Sequence, residues 1–240
     1  LTTLDVSNLT KLEYLYCNDN KLTSLDLGKN KQLSKLNCFG NTISSLDLSQ
    51  NSQLEIVRCY KNALTKLNIS GCSQMTLLHC GENRLTSLDV SANTKLERLY
   101  CDNNDISKLD VSNNEQLNIL FCYNNKLSVE ALDDLFCSLP NRKDKEAGKI
   151  APTLNKSSAE KDKILSTNGI NAITRNWDVQ YYEEGYNIGG FKGTHQCGGG
   201  TGIDETKGLP ALAVYPNPAK DVINIASDKP IHSIRIYNVY

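Results

Sequence analysis

The chain has 240 residues, 39% of them hydrophobic and 22% charged, with a formal net charge of -1. That is a globular balance, long enough for a sizeable core or an elongated array, and unlike the charge-rich, apolar-poor composition of disordered chains. It lacks the basic stripe that releases counterions from phosphates, which argues against a nucleic-acid partner, and no apolar run approaches the roughly 18 residues a membrane span needs, so no membrane insertion is expected.

From the first residue the chain repeats itself. Copies of one 21-residue pattern begin at Leu1, Leu22, Ile43, Leu64, Leu85 and Ile106, and a seventh opens at Leu127 before the pattern breaks. Spacing this strict, without insertion, makes each copy one coil of a solenoid and stacks identical positions on one another. The chain starts inside a copy, with no Met and no basic-then-apolar leader ahead of it, and so reads as a fragment without its N-terminal cap or export signal.

Within a coil, apolar residues recur at positions 1, 4, 6, 12 and 15, and Cys stands at 17: Leu1, Leu4, Val6, Leu12, Leu15 and Cys17 in the first copy. A short strand over Tyr14 to Cys17 turns Leu15 and Cys17 inward and Tyr14 and Tyr16 outward, and stacking such strands about 4.8 Å apart makes a parallel sheet roughly 25 to 30 Å long. The alternation in LTTLDV allows a second short sheet on the opposite side. Asn at position 20, from Asn20 to Asn125, does not vary. An inward amide there can satisfy backbone groups of adjacent coils, a structural role that needs no ligand.

Six of the nine cysteines, Cys17, Cys38, Cys59, Cys80, Cys101 and Cys122, form one row. In-register stacking holds neighbouring Cβ atoms near 4.8 Å, beyond the usual 3.5 to 4.5 Å of a disulfide, so the row reads as free thiols filling the core. With no CxxC pair and no interleaved His, a metal array is the lesser alternative. Cys72 takes the place of an Asn found at position 9 of most other copies; Cys137 and Cys197, the latter near His195, carry no evident role. The LxxLxCxxNxL half-repeat from Leu12 to Leu22 with its Cys row resembles bacterial surface proteins with 21-residue leucine-rich repeats and a cysteine ladder, of the internalin J type. That resemblance, over residues 1–126, implies a non-catalytic cell-surface adhesin or ligand-binding scaffold with no cofactor.

The positions left free to vary are the outward ones of the strand, 14, 16 and 18. They hold five Tyr and two Phe in a chain only 7% aromatic. Aromatic and Arg side chains supply large contact area at low entropic cost, so Tyr14, Tyr16, Phe39, Arg58, Tyr60, His79, Arg98, Tyr100, Phe121 and Tyr123 are the candidate partner-binding residues. Sheet surfaces favour aromatics in any case, which is the plain alternative. Opposite them, Asp5, Asp26, Asp47, Asn68, Asp89 and Asp110 stack at position 5, each two residues before a Ser or Gly whose N–H can offset the repulsion in an Asx-type turn; calcium is the less favoured reading.

After the array, residues 127–183 read as an α/β C-terminal cap. SVEALDDLFCSLP is a helix with Ser128 as N-cap and Glu130 in its first turn, and Ser157 with Glu160 fits a capping box for a second helix. GKIAPTL and WDVQY alternate as strands. Residues 184–210 read as a Gly-rich linker. Residues 211–240 look like the start of a β-sandwich: VYPNPAKDVINI followed by IRIYN resembles the type IX secretion system C-terminal sorting domain, truncated, which implies export across the outer membrane of a Bacteroidetes-type bacterium.

The fold expected is thus an α/β-type repeat, a leucine-rich-repeat solenoid of 21-residue coils with a parallel sheet, an α/β cap and the beginning of a β-sandwich tail. The function expected is a secreted protein at the cell outer surface or outside the cell that binds a protein or glycan ligand on a cell surface or matrix. The alternative is a structural spacer or self-associating component of a surface layer or biofilm matrix. No paired carboxylates and no nucleophile-and-base pair occupy corresponding exposed positions, so an enzyme is not expected.

Overall fold

The computed structural model describes residues 1–197 together with 213–215 and 224–226. Each coil contributes one three-residue strand: β1 Tyr14–Tyr16, β2 Lys35–Asn37, β4 Ile56–Arg58, β6 Leu77–His79, β7 Arg98–Tyr100 and β8 Ile119–Phe121. On the opposite side a second sheet forms only between β3 Ser45–Asp47 and β5 Lys66–Asn68. The cap supplies α1 Val129–Ser138, β9 Gly148–Thr153, α2 Lys161–Leu165, α3 Ile170–Ile173 and β10 Trp177–Tyr181. The main sheet has eight parallel strands in the order β1-β2-β4-β6-β7-β8-β9-β10, so the cap lengthens the sheet by two strands.

Pairing runs in register at the 21-residue period: Leu15 faces Leu36, Leu36 faces Val57, Val57 faces Leu78, and so on to Leu120 against Ile150 of β9. The column Leu36, Val57, Leu78, Leu99 and Leu120 has no exposed surface. Each such side chain contributes about 2 kcal/mol by leaving water, and since every coil repeats the same set, the core is continuous along the array.

Two ladders of asparagine close the backbone accounting between coils. At position 20, Asn104 Nδ2 donates to the carbonyls of Cys80, Cys101 and Asp102 at 3.1, 3.2 and 3.2 Å, while its Oδ1 accepts the Leu85 N–H at 2.9 Å. At position 9, Asn30, Asn51, Asn93 and Asn114 are fully buried and each Nδ2 joins two carbonyls of the coil before; Asn51 binds Leu27 O and Asn30 O, both at 3.0 Å. Cys72 stands in this second ladder and replaces the two amide bonds by one thiol contact to Leu48 O at 3.4 Å. Between strand and ladder, position 19 is left-handed in every coil: Asp19, Lys61, Glu82, Asn103 and Asn124 have φ of 52 to 54°, and Gly40 has 65°. This reversal lets the chain leave the strand and turn the position-20 amide inward.

The thiols of the cysteine row are free and buried. Burial pushes Cys59 up to about 12 and raises Cys38, Cys80, Cys101 and Cys122 in the same sense, so the row stays protonated and apolar, poor as a nucleophile or metal ligand.

In the cap, Ser128 Oγ accepts the Ala131 N–H at 3.1 Å as an N-cap, and Leu132, Leu135 and Phe136 of α1 seal the last coil. Buried Trp177 lies against Gly148, where a Cβ would come within 2.7 Å of its ring, and its Nε1 donates to Pro140 O. Three sequence expectations change here. The capping box at Ser157 and Glu160 does not form: α2 begins at Lys161 with no side-chain cap, and Glu160 instead accepts the Asn124 N–H and pairs with Lys163. Cys137 and Cys197 are joined in a disulfide. Finally, residues 184–197 are not linker: Ile188 is buried, Phe191 packs on the core and the backbone of 186–193 is bonded to the cap, because apolar residues between the glycines have a surface to bury against.

By contacts the chain divides into Leu1–Cys197 and Gly198–Tyr240. In the second unit β11 Ala213–Tyr215 and β12 Asn224–Ala226 pair antiparallel, with Val214 opposite Ile225. The remainder of the expected linker and sorting tail lies outside the described residues.

Candidate functional site

The outward columns of the main sheet converge on one continuous face. Spacing between strands, about 4.8 Å, falls within the centroid separation at which aromatic rings interact, so rings at stacked positions meet. Phe39 and Tyr60 stack at 4.4 Å with planes 9° apart, and Tyr60 stacks on His79 at 4.1 Å and 18°. Beyond that the line tilts: His79 to Tyr100 and Tyr100 to Phe121 are both at 5.2 Å, the latter edge-on. Phe39 and Tyr60 occupy position 18, whereas His79, Tyr100 and Phe121 occupy position 16. The line changes column at the fourth coil because position 18 there is Gly81, which has no ring to offer.

The space over Gly81 belongs to Asp102. A Cβ on Gly81 would lie 2.9 Å from Asp102 Oδ1, and Asp102, 6% exposed, also takes a hydrogen bond from Asn103 Nδ2 at 2.7 Å. Tyr123, expected on the open face, is 7% exposed; burial first, then the neighbouring Asp102 and Tyr182, raise its phenol well above the usual range. It is therefore a packing residue of the face's edge rather than a contact offered to a partner. The reason is the cap, whose Tyr182 covers it at 4.6 Å between ring centroids and also meets Phe121 at 5.1 Å. Tyr182 thus belongs to the face although no repeat carries it. Its signal was present in the alternation of β10, which sends Trp177, Val179 and Tyr181 inward and residue 182 outward.

The remaining candidates lie as expected on the sheet surface. Tyr14 and Tyr16 are 50% and 61% exposed, with Lys35 Nζ 5.2 Å above the Tyr14 ring. Arg98 is exposed, and Phe39, Arg58, Tyr60, His79, Tyr100 and Phe121 are half-buried by one another. Lys61 Nζ lies 6.0 Å from the Tyr60 ring centroid. His79 is held below its ordinary value, first by burial between its ring neighbours; the Asp102 carboxylate pulls the other way, and Arg58 and Lys61 add to the lowering. Its ring is accordingly neutral near pH 7.

On the opposite side, every position-5 residue has the expected turn: Oδ1 of Asp5, Asp26, Asp47, Asn68, Asp89 and Asp110 accepts the N–H two residues on, at 2.8 to 3.2 Å. The backbone N–H and hydroxyl of Ser7 and Ser49 lower the Asp5 and Asp47 carboxyls, and the hydroxyl and then the N–H of Ser91 lower that of Asp89. Among the described residues no group of three or more His, Cys, Asp or Glu is placed to hold a metal ion, and no helix is long and apolar enough to cross a membrane.

Solved structures show the same architecture. An internalin of Listeria monocytogenes is 23% identical, with 74% of this chain and 51% of that one covered and a TM-score of 0.56. A leucine-rich-repeat protein of Leptospira interrogans is 21% identical, over 76% of this chain and 46% of that one, at a TM-score of 0.58. The array has the leucine-rich-repeat solenoid fold. The functional domain of InlJ from Listeria monocytogenes, described as including a cysteine ladder, is 28% identical over 75% of this chain and 48% of that one, at a TM-score of 0.40. The solenoid chain spans about half the length of these proteins. No curated protein matches it. Residues 213–240 match the secretion system C-terminal sorting domain, which marks this leucine-rich-repeat protein as secreted, at the cell surface or outside the cell.

Proposed function

We propose that the protein binds a macromolecular partner, in adhesion or cell interaction, through the outward face of its parallel sheet. The observation that supports this reading is the unbroken line of rings from Phe39 to Tyr182, flanked by exposed Tyr14, Tyr16 and Arg98. Such a surface is already ordered by its own stacking, so little side-chain entropy remains to be lost when a partner covers it. Tyr14, Tyr16, Phe39, Arg58, Tyr60, His79, Arg98, Tyr100 and Phe121 form the contact surface, with Tyr182 added from the cap, and the ligand is a protein or glycan of a cell surface or matrix.

The test is binding of the purified chain to extracellular proteins, glycans and bacterial cells, comparing wild type with Tyr16→Ala, Tyr60→Ala, Tyr100→Ala and Phe121→Ala combined. Each hot-spot aromatic is worth about 2 kcal/mol, so the combined variant loses binding altogether while remaining folded. A variant that binds as well as wild type makes the face an ordinary sheet surface. Self-association of both forms without any ligand would place the spacer role first.

A further inference from the structure

A sheet that ends on an uncovered strand offers that strand's outer backbone groups to any other strand. Here the main sheet ends on β10, and the chain itself covers the edge. It turns at Gly185, φ 68°, and lays residues 186–188 back along β10 in the antiparallel sense. The Ile188 N–H donates to Val179 O at 2.7 Å, the Tyr181 N–H donates to Tyr186 O at 3.2 Å, and Gln180 bridges Asn187. The strap then crosses the short helices of the cap. Lys192 N–H donates to Leu165 O and Gly193 N–H to Thr167 O, at 2.7 and 3.0 Å. Phe191 lies on Gly169, where a Cβ would meet its ring at 2.4 Å, and the His195 carbonyl accepts the side-chain amides of Asn168 and Asn171. Cys197 finally bonds to Cys137 on α1, 60 residues back in sequence.

Two backbone bonds are a thin cover for a strand edge, and the tie at Cys197 keeps the cover at high local concentration over it. We propose that this strap is a disulfide-tied guard of the β10 edge that keeps the protein from pairing with a second copy of itself. When a dithiol reductant passes two electrons to the Cys137–Cys197 bond, two protein thiols form and the reductant closes to its own disulfide. The strap then leaves, and the freed edge pairs with β10 of a second chain. Two-fold symmetry sets like strands antiparallel, the sense in which the strap already sits on this edge.

The experiment uses the full chain in three forms: oxidised, treated with dithiothreitol, and carrying Cys137→Ser with Cys197→Ser. Light scattering reads the mass, and amide hydrogen exchange reads the strap at Ile188, Lys192 and Gly193 and, as a fold control, the strands β2 to β8. The oxidised form is expected to be monomeric with a protected strap. In the other two forms the strap amides exchange faster by about tenfold or more, the mass doubles and the control strands are unchanged. A reduced protein that stays monomeric overturns the proposal, as does a strap that stays protected. Loss of protection in the control strands at the same time also overturns it, since the disulfide would then be a general staple of the fold.

Discussion

At the scale of single residues, the solenoid depends on a few side chains that answer backbone groups no other residue reaches. Asn104 is typical of its row: its amide serves three carbonyls and one N–H across two coils, as do those of Asn41, Asn62, Asn83 and Asn125. Asn104→Ala leaves several buried groups without partners, and at about 1 to 3 kcal/mol for a buried unsatisfied group the variant should lose about 3 kcal/mol of stability, measured as a shift of the urea midpoint at constant slope. Its neighbour at position 19 shows a cost the protein tolerates. Lys61 and Glu82 occupy the left-handed region, which disfavours side chains with a Cβ by about 1 to 2 kcal/mol, so the turn is held by the ladder that follows it rather than by local preference. The 21-residue pattern shows the invariant Asn but not the left-handed residue before it, because Asp, Gly, Lys, Glu and Asn all appear there and share no composition.

At the scale of the element, the strand face is a column of three-residue strands whose outer rings meet because the sheet brings them within stacking distance. His79 is the joint between its position-18 and position-16 halves. Its lowered pKa means that the folded state binds fewer protons than the unfolded state as the pH falls below the ordinary histidine value of 6.5, so its contribution to stability is full above that pH and is lost as the pH drops through the lower folded value. A proton NMR titration should find the His79 midpoint below 6.5, and His79→Phe, which keeps a ring in the stack, should flatten the decline in stability between pH 7 and 5. A midpoint at or above 6.5 would mean that Asp102 outweighs burial, and the order of causes would be reversed. Outward positions 14 and 16 could be read directly from alternation. Position 18 could not, because the coil bends there and the fates of Gly81, Asp102 and Tyr123 depend on each other and on Tyr182.

At the scale of the whole molecule, stability is shared between neighbouring coils, so the ends open more readily than the middle. The cysteine row reports this directly. Cys59, Cys80 and Cys101 have no exposed surface and Cys17 is 6% exposed in the first coil. With iodoacetamide at pH 8, Cys17 should be alkylated first, the central thiols only in denaturant and together, as read by mass spectrometry of peptides. Equal labelling of all thiols in native buffer would contradict both their burial and the raised pKa values. The cap adds a long-range constraint: a disulfide closing a 60-residue loop stabilises by about 4 kcal/mol in the chain-entropy account.

The sequence by itself determined the coil length, the inward and outward columns, the position-20 asparagine row, the free thiols of the cysteine row and the α/β cap, because each repeats at a fixed interval or follows a local cap and alternation rule. A repeat that stacks on itself converts sequence period into spatial neighbourhood, so its contacts are legible without coordinates. Only the tertiary structure decided the pairing of Cys137 with Cys197, the folding of residues 184–197 onto the cap and the burial of Tyr123. Those contacts join segments far apart in sequence and occur once, where the array ends and its last coil must be covered by chain that carries no period.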